Sequence, residues 1–269
     1  YLSFYAVHGP IQTTQEKWAK YRDKAEAMGI AETGFEMGHF LPIRQHQDNP
    51  IYAGLVESTD DAVGYILDAL DELGLAENTI ICFTGDNGGV AAGDAFATSN
   101  KPLRGGKGYQ YEGGIREPFF IKVPELGNGQ TCNTPVTGTD FYPTILELCG
   151  ADLKPEEHKD GVSLVPLLKG ESLVERPLIW HYPHYGNQGG EPSSIIRLGD
   201  WKLIHYYEDG REALYNLKND LSETNNLAAE YPERVEQLSQ QLFAMLEEMG
   251  ARYPTQDPTW TAEREKAHL

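Results

Sequence analysis

The sequence is short of three things. Cysteine occurs only at Cys82, Cys132 and Cys149 of 269 residues. Three cysteines do not make a disulfide framework, an odd count leaves at least one thiol unpaired within the chain, and the redox compartment stays open. Positive charge is scarce, with 22 Lys+Arg against 41 Asp+Glu and a net charge of −19. Polyanion binding runs on Lys and Arg neutralising phosphates, so a nucleic-acid partner is excluded. Long apolar runs are absent, and none approaches the roughly 18 residues that a membrane span requires. What is present is ordinary for a packed domain. Hydrophobic residues make up 40 % and aromatics 10 %, enough for a sizeable core in one large domain or one domain plus a smaller one. The chain opens on Tyr1 rather than Met and shows no basic segment, apolar stretch and cleavage site of the signal-peptide kind. It is expected to be a piece of a longer polypeptide.

The apolar pattern divides the chain near residue 171. Residues 1–7 read as a buried strand that stops at His8-Gly9-Pro10, because Pro10 cannot continue a ladder. Residues 11–48 read as a long connection with one amphipathic piece at Gln15–Ala27. Asn49-Pro50 opens a helix whose apolar residues, from Ile51 to Leu73, recur at helical spacing, with Gly74 suited to its end. Thr79–Thr84 and Pro118–Val123 are continuous apolar runs, the pattern of strands covered on both faces in a parallel sheet. Asp140–Leu148 reads as a helix capped by Thr139 or Asp140 and closed by Gly150. The expected fold is α/β, with a mainly parallel sheet over 1–170. From 171 to 269 the pattern is an antiparallel meander and a last helix. Leu178–Tyr182 is strand-like, and Ser194–Leu198, Trp201–Tyr207 and Arg211–Leu217 are separated by the turn dipeptides Gly199-Asp200 and Asp209-Gly210. The helix starts at Pro232 and ends at Gly250.

Four groups of residues could carry chemistry. Asp86 and Asn87 are two hard oxygen ligands at a strand end, the place where open α/β sheets put ligands. Ca²⁺ or Mg²⁺ would be the natural guest, although Asp-Asn-Gly-Gly is also common turn chemistry. Arg104-Gly105-Gly106-Lys107-Gly108 sets cations among glycines and suits an anion such as a phosphate or sulfate ester. It lacks the Walker order of a P-loop, and a flexible loop with solvated charges is the plainer reading. His8 could ligate, bind an anion or act as an acid. His181 and His184, in Trp180–Tyr185, could line a cleft for a polar substrate, or be aromatic packing. Cys82 reads as an inert core thiol. No Ser lies in Gly-x-Ser-x-Gly.

Three stretches in order, Phe83–Gly88, Lys101–Gly108 and Tyr111–Pro118 with its Glu-Gly-Gly-Ile-Arg-x-Pro run, resemble the type I sulfatases of the alkaline-phosphatase superfamily. Val7–Pro10, Thr139–Thr144, Asp160–Leu164 and the late Leu214–Leu217, Asp220, Glu223 and Asn226–Ala228 also match, so the resemblance spans nearly the whole chain. It implies an alkaline-phosphatase-like fold and hydrolysis of a sulfate ester, with a glycan or small-molecule ester as substrate. It implies Asp86 and Asn87 as two ligands of a divalent metal, usually Ca²⁺. Lys107 would bind the sulfate oxygens and help the leaving alkoxide, and His8 would contact the sulfate or leaving-group oxygen as a general acid. Arg104, His181 and His184 remain candidates for substrate binding. It also implies a periplasmic or secreted setting.

The departure is equally specific. The formylglycine nucleophile of this family is made from Cys or Ser in Cys/Ser-x-Pro-x-Arg, and the chain contains no such run; after Cys132, Pro stands one place too late. The Asp-Asp pair that completes the metal shell is missing too. The chain therefore resembles the second part of a sulfatase, with formylglycine expected in an upstream segment that could be its partner. Two competing readings are a phosphodiesterase or phosphonate hydrolase of the same superfamily, and a non-catalytic anion- or glycan-binding remnant. The chain alone is predicted to release no product from an aryl sulfate, and a colorimetric turnover assay checks this.

Overall fold

The computed structural model describes residues 1–31, 34–93, 97–126 and 129–261. Helix α1 (Gln15–Ala27) is capped by Thr14, whose hydroxyl accepts from the amide of Lys17. Strands β1 (Phe35–Met37) and β2 (Pro42–Arg44) form an antiparallel hairpin within what the sequence shows only as connection. Three-residue strands carry too little period to be read from sequence. Helix α2 (Pro50–Glu72) follows as expected. Asn49 accepts from the amides of Ile51 and Tyr52, and Gly74 ends the helix at φ +67. α1 and α2 pack together, and Lys17 bridges them through Ser58 and Asp61 at 3.0 and 2.5 Å.

Two expectations for the first half are corrected. Strand β3 (Ile81–Thr84) pairs with β4 (Phe119–Lys122) in antiparallel register, so the mixed α/β class stands but the mainly parallel sheet does not. Among the described residues the long connection between them, residues 85–118, contains the short helix α3 (Glu112–Ile115). The pair is also not covered on both faces, with Phe83 41 % and Phe120 64 % exposed. Residues 1–7 form no strand, and most of them are exposed. A strand needs a neighbour to satisfy its backbone, and among the described residues this segment pairs with none.

Helix α4 (Phe141–Leu148) begins at the expected place with Asp140 at its N-cap position, but the Asp140 side chain makes no capping hydrogen bond to it. Its fully buried carboxylate instead accepts from the amides of Thr137 and Val162 and from the Arg176 guanidinium at 2.5 and 2.6 Å. The Thr139–Thr144 and Asp160–Leu164 stretches are thereby joined. Thr144 continues the link by donating to Asp140 O and accepting from the amide of Leu164. Helix α5 (Val165–Leu168) follows.

The last part is a four-stranded antiparallel sheet in the order β5 (Leu178–Tyr182), β6 (Ser193–Leu198), β7 (Trp201–Tyr206), β8 (Glu212–Asn216). Gly199 and Gly210 take φ +58 and +72 in the two tight turns, where a side chain would be strained. Helix α6 (Pro232–Glu248) covers one face. Leu238, Leu242 and Leu246 lie against Ile196, Leu203 and Leu214, all buried. The other face, with Ile195, Ile204, Tyr206, Ala213 and Tyr215, packs on Tyr111 and Ile115 of the α3 segment. Both faces of the sheet are covered. Leu242→Ala is predicted to destabilise the chain by about 2–5 kcal/mol, the usual cost of a cavity at a closed core site, as measured by denaturant unfolding.

Candidate active site

Three backbone segments, one of them α3 itself, meet here. Gly88 donates its N–H to Gly114 O at 3.1 Å, Gly113 donates to Arg104 O at 2.9 Å, and Lys107 donates to Gly89 O at 3.1 Å. These contacts bring the Asp86–Gly89 loop, the Arg104–Gly108 loop and the Glu112–Ile115 turn together. Glycine is required there by space. A Cβ on Gly88 would lie 1.8 Å from Gly113 O, and one on Gly113 would lie 2.4 Å from Arg104 O. The pattern of glycines in the sequence is therefore a pattern of backbone-on-backbone contact, not of loop flexibility.

Asn100 was not singled out by the sequence, yet it clamps two of these loops. Its side chain accepts from the amide of Gly89 at 3.2 Å and donates to Gly89 O and Gly105 O at 2.8 and 3.1 Å. Nothing in its local sequence signals this, because its partners lie on two other segments.

The geometry therefore places Asp86, Asn87 and Lys107 on loops fastened to one another. Asp86 is exposed and Asn87 and Lys107 are half-buried. The two side-chain oxygens of Asp86 and Asn87 suit Ca²⁺ as part of a shell that takes about six to eight oxygens. They are not a complete site, and among the described residues no group of three or more His, Cys, Asp or Glu could hold a metal.

Arg104 lines a cleft of about 620 Å³ with Met37, His39, Tyr111, Glu191 and Arg211 among its walls. Its guanidinium lies 3.8 Å from the centre of the Tyr111 ring and donates to Tyr215 Oη and to Glu223 O. The histidines are dispersed. His8 is exposed, and its Nδ1–H donates to Gly9 O at 2.8 Å, which leaves the Nε2 lone pair outward in the neutral ring. His181 has both nitrogens engaged, Nε2–H on Arg252 O at 2.9 Å and Nδ1 with the Ser194 hydroxyl at 2.6 Å. It sits among Tyr207 and Tyr253, the aromatic-packing alternative for this stretch, and ties the segment after α6 to the sheet. His184 is exposed beside Tyr182. Cys82 is half-buried rather than in the core, its thiol pushed up by burial, and Cys132 and Cys149 are exposed; all three are free.

One carboxyl beside the Asp86 loop is strongly perturbed. Burial, and then the charge of Asp86, push the Glu117 carboxyl up to about 7. Glu117 Oε2 lies against Gly85, where a Cβ would meet it at 2.7 Å, and Oε1 is buried without a hydrogen-bond partner. A carboxyl whose folded value is raised binds more protons folded than unfolded between its ordinary 4.5 and about 7. Its contribution therefore weakens the fold as pH rises through that window and costs nothing below it. Glu117→Gln is predicted to lessen the fall in Tm between pH 5 and 7, as read by thermal scans of both proteins.

Comparison with known proteins gives the family of this chain. The Sulfatase family model matches residues 1–151. The model for the C-terminal part of N-sulphoglucosamine sulphohydrolase matches residues 106–252. A sulfatase of Formosa agariphila is 38 % identical over 252 residues, covering 86 % of this chain and 42 % of the relative. The N-acetylglucosamine-6-O-sulfatase of Bacteroides thetaiotaomicron is 32 % identical over 258 residues, covering 91 % of this chain and 43 % of the relative. Among solved structures, Ps i-CgsB superposes with a TM-score of 0.72 at 25 % identity, covering 100 % of this chain and 52 % of that one. Its complex with k-i-k-neocarrahexaose gives 0.70 at 25 % identity, covering 98 % and 51 %. The chain thus spans less than half the length of these two curated relatives. Over that span, with its Asp86–Gly89, Lys107 and Glu112–Pro118 segments locked together, it belongs to the sulfatase family.

Proposed function

We propose that this chain supplies the sulfate-binding side of a sulfuric ester hydrolase that acts on sulfated carbohydrate. The observation that carries the reading is the backbone lock that holds Lys107 against the loop of Asp86 and Asn87. Hydrolysis of a sulfate ester builds negative charge on the sulfuryl oxygens and on the bridging oxygen. Lys107 donates hydrogen bonds to those oxygens and stabilises the departing alkoxide. His8, once protonated, gives its Nε2 proton to the leaving oxygen. Asp86 and Asn87 are two of the oxygen ligands for a divalent cation, calcium before magnesium, which supplies further positive charge at the sulfuryl group when bound. The carbohydrate assignment is supported by the N-acetylglucosamine-6-O-sulfatase relative and by the neocarrahexaose complex. Arg104 belongs to the same reading, on the wall of the cleft beside the Lys107 loop.

The nucleophile is not part of this chain, which has no Cys/Ser-x-Pro-x-Arg run. The reading therefore assigns it to another polypeptide segment, together with the rest of the metal shell. The division at about residue 170, with catalytic loops before it and a supporting sheet after it, belongs to the same proposal.

Titration with N-acetylglucosamine 6-sulfate and with the unsulfated sugar, followed by calorimetry, tests the reading. Binding of the sulfated sugar alone is expected, and Lys107→Ala is predicted to weaken it about tenfold or more, the scale of a hydrogen bond to a charged group. Equal affinity for both sugars would sink the assignment. Addition of a polypeptide carrying the formylglycine segment then separates enzyme from binding remnant. Turnover supports the enzyme, and binding without turnover supports the remnant.

A further inference from the structure

Glu223, in the turn after β8, is the one described residue other than glycine with a positive φ, at +50. That backbone region is unfavourable for a residue with a Cβ and is kept where its surroundings over-determine it. Glu223 is also fully buried, at 0 % exposed. It makes three contacts in three directions. Oε2 accepts the amide of Glu112 at 2.6 Å. Oε1 pairs with the Lys202 ammonium at 2.8 Å. Its backbone carbonyl accepts from the Arg104 guanidinium at 2.7 Å.

Lys202, also 0 % exposed, reaches across to Glu112 Oε1 at 3.1 Å, and Arg197 faces Glu112 Oε2 at 3.2 Å. The sheet thus projects two cations and one carboxylate into the start of α3. From there the path to the candidate active site is short. Arg104 O holds the amide of Gly113, Gly114 O holds the amide of Gly88, and Gly89 O holds the amide of Lys107. Core packing of the subdomain does not need this arrangement, since α6 and the sheet close their own apolar layer.

We propose that Glu223, held in place by Lys202, is a positioning residue: by gripping Glu112 and Arg104 together it sets Lys107 against the Asp86–Asn87 loop. The sheet is then the jig of the anion-binding loops as well as their neighbour. This inference rests on the reading of Lys107 as the sulfate-binding residue for its functional meaning, though not for its mechanical content.

Amide hydrogen exchange on the whole chain tests it, with inorganic sulfate titrated in parallel and followed at Lys107 by NMR. Glu223→Gly suits φ +50 and keeps the carbonyl that Arg104 needs, but removes the carboxylate. Glu223→Gln keeps length and an acceptor for the Glu112 amide. In the glycine variant the amides of Glu112, Gly113, Gly88 and Lys107 are expected to exchange at least tenfold faster, while Leu242 and Leu246 in α6 keep their rates. Sulfate affinity at Lys107 falls in the same variant, and Glu223→Gln recovers part of both effects.

Acceleration that is uniform and includes α6, or none at all, overturns the proposal, because a purely structural role lowers global stability without selecting these amides. If the glycine variant does not fold, the glutamine variant read against α6 decides in the same way. Selective exchange with no sulfate response at Lys107 in the unmodified chain supports the mechanical link and removes the sulfate reading instead. Sulfate binding without selective exchange overturns the positioning alone.

Discussion

The buried contact between Lys202 and the two carboxylates of Glu112 and Glu223 is the constraint that ties the sheet to the candidate site. Burying three charges costs several kcal/mol per ion, and mutual attraction repays this only with close geometry and further hydrogen bonds. The geometry is close on every side, and further hydrogen bonds are made by all but Glu223 Oε1, with burial pushing that carboxyl up. Glu223 also accepts the amide of Glu112, Glu112 also faces Arg197, and all three side chains lie beyond the reach of water. Removing one partner of such a cluster leaves an uncompensated charge, so the three residues stand or fall together. The cluster joins Glu112 to residues 90 and 111 positions further along the chain, and no local preference could bring them together.

Around that contact the architecture has a clear logic. The four-stranded sheet buries one face under α6 and offers the other to Tyr111 and Ile115. The same segment that carries those two residues carries Gly113 and Gly114, whose missing side chains let the Asp86 and Lys107 loops approach to hydrogen-bonding distance. A hydrophobic seam therefore brings the two halves together, and backbone contacts fix the site to the seam. The acidity of the chain makes this economy of cations functional. Lys202 and Arg197 are consumed by structure, and Arg176 and Arg211 are paired with buried carboxylates. Lys107 stands in the loop cluster at an intermediate depth, where a recessed cation can act on an anion against the net charge of −19.

Much of the architecture was legible because local rules and tertiary packing agree. The helix at Pro50–Glu72 has its Asn cap, its period and its terminal glycine, and the last helix has Pro232 at its start. The turns at Gly199 and Gly210 announce themselves by the positive φ they need. Where the rules fail, a partner outside the local window decides. Asp140 stands at a helix N-cap, but its carboxylate is claimed by Arg176, whose Nη2 reaches both oxygens, because a charge-assisted contact outweighs a cap. The run at Thr79–Thr84 has the composition of a central parallel strand, but its hydrogen-bonded neighbour, β4, arrives antiparallel from a segment distant in the chain. His181 sits in a promising aromatic stretch, and its nitrogens are spent on Ser194 and Arg252.

The sequence by itself determined the family, through the order and spacing of the Asp86-Asn87, Lys107 and Glu112–Pro118 motifs, and the element types that follow from periodicity and turn residues. Those properties are written in adjacent residues, so a linear reading reaches them. Only the tertiary structure decided that Glu112, Glu223 and Asp140 are struts. It also decided that Asn100 is a clamp, that β3 and β4 run in opposite directions, and that a glutamate beyond β8 reaches the loops of Lys107. Each of these depends on which groups meet after the chain has closed on itself. Burial and charge pairing are properties of that meeting, and no single stretch of sequence contains them.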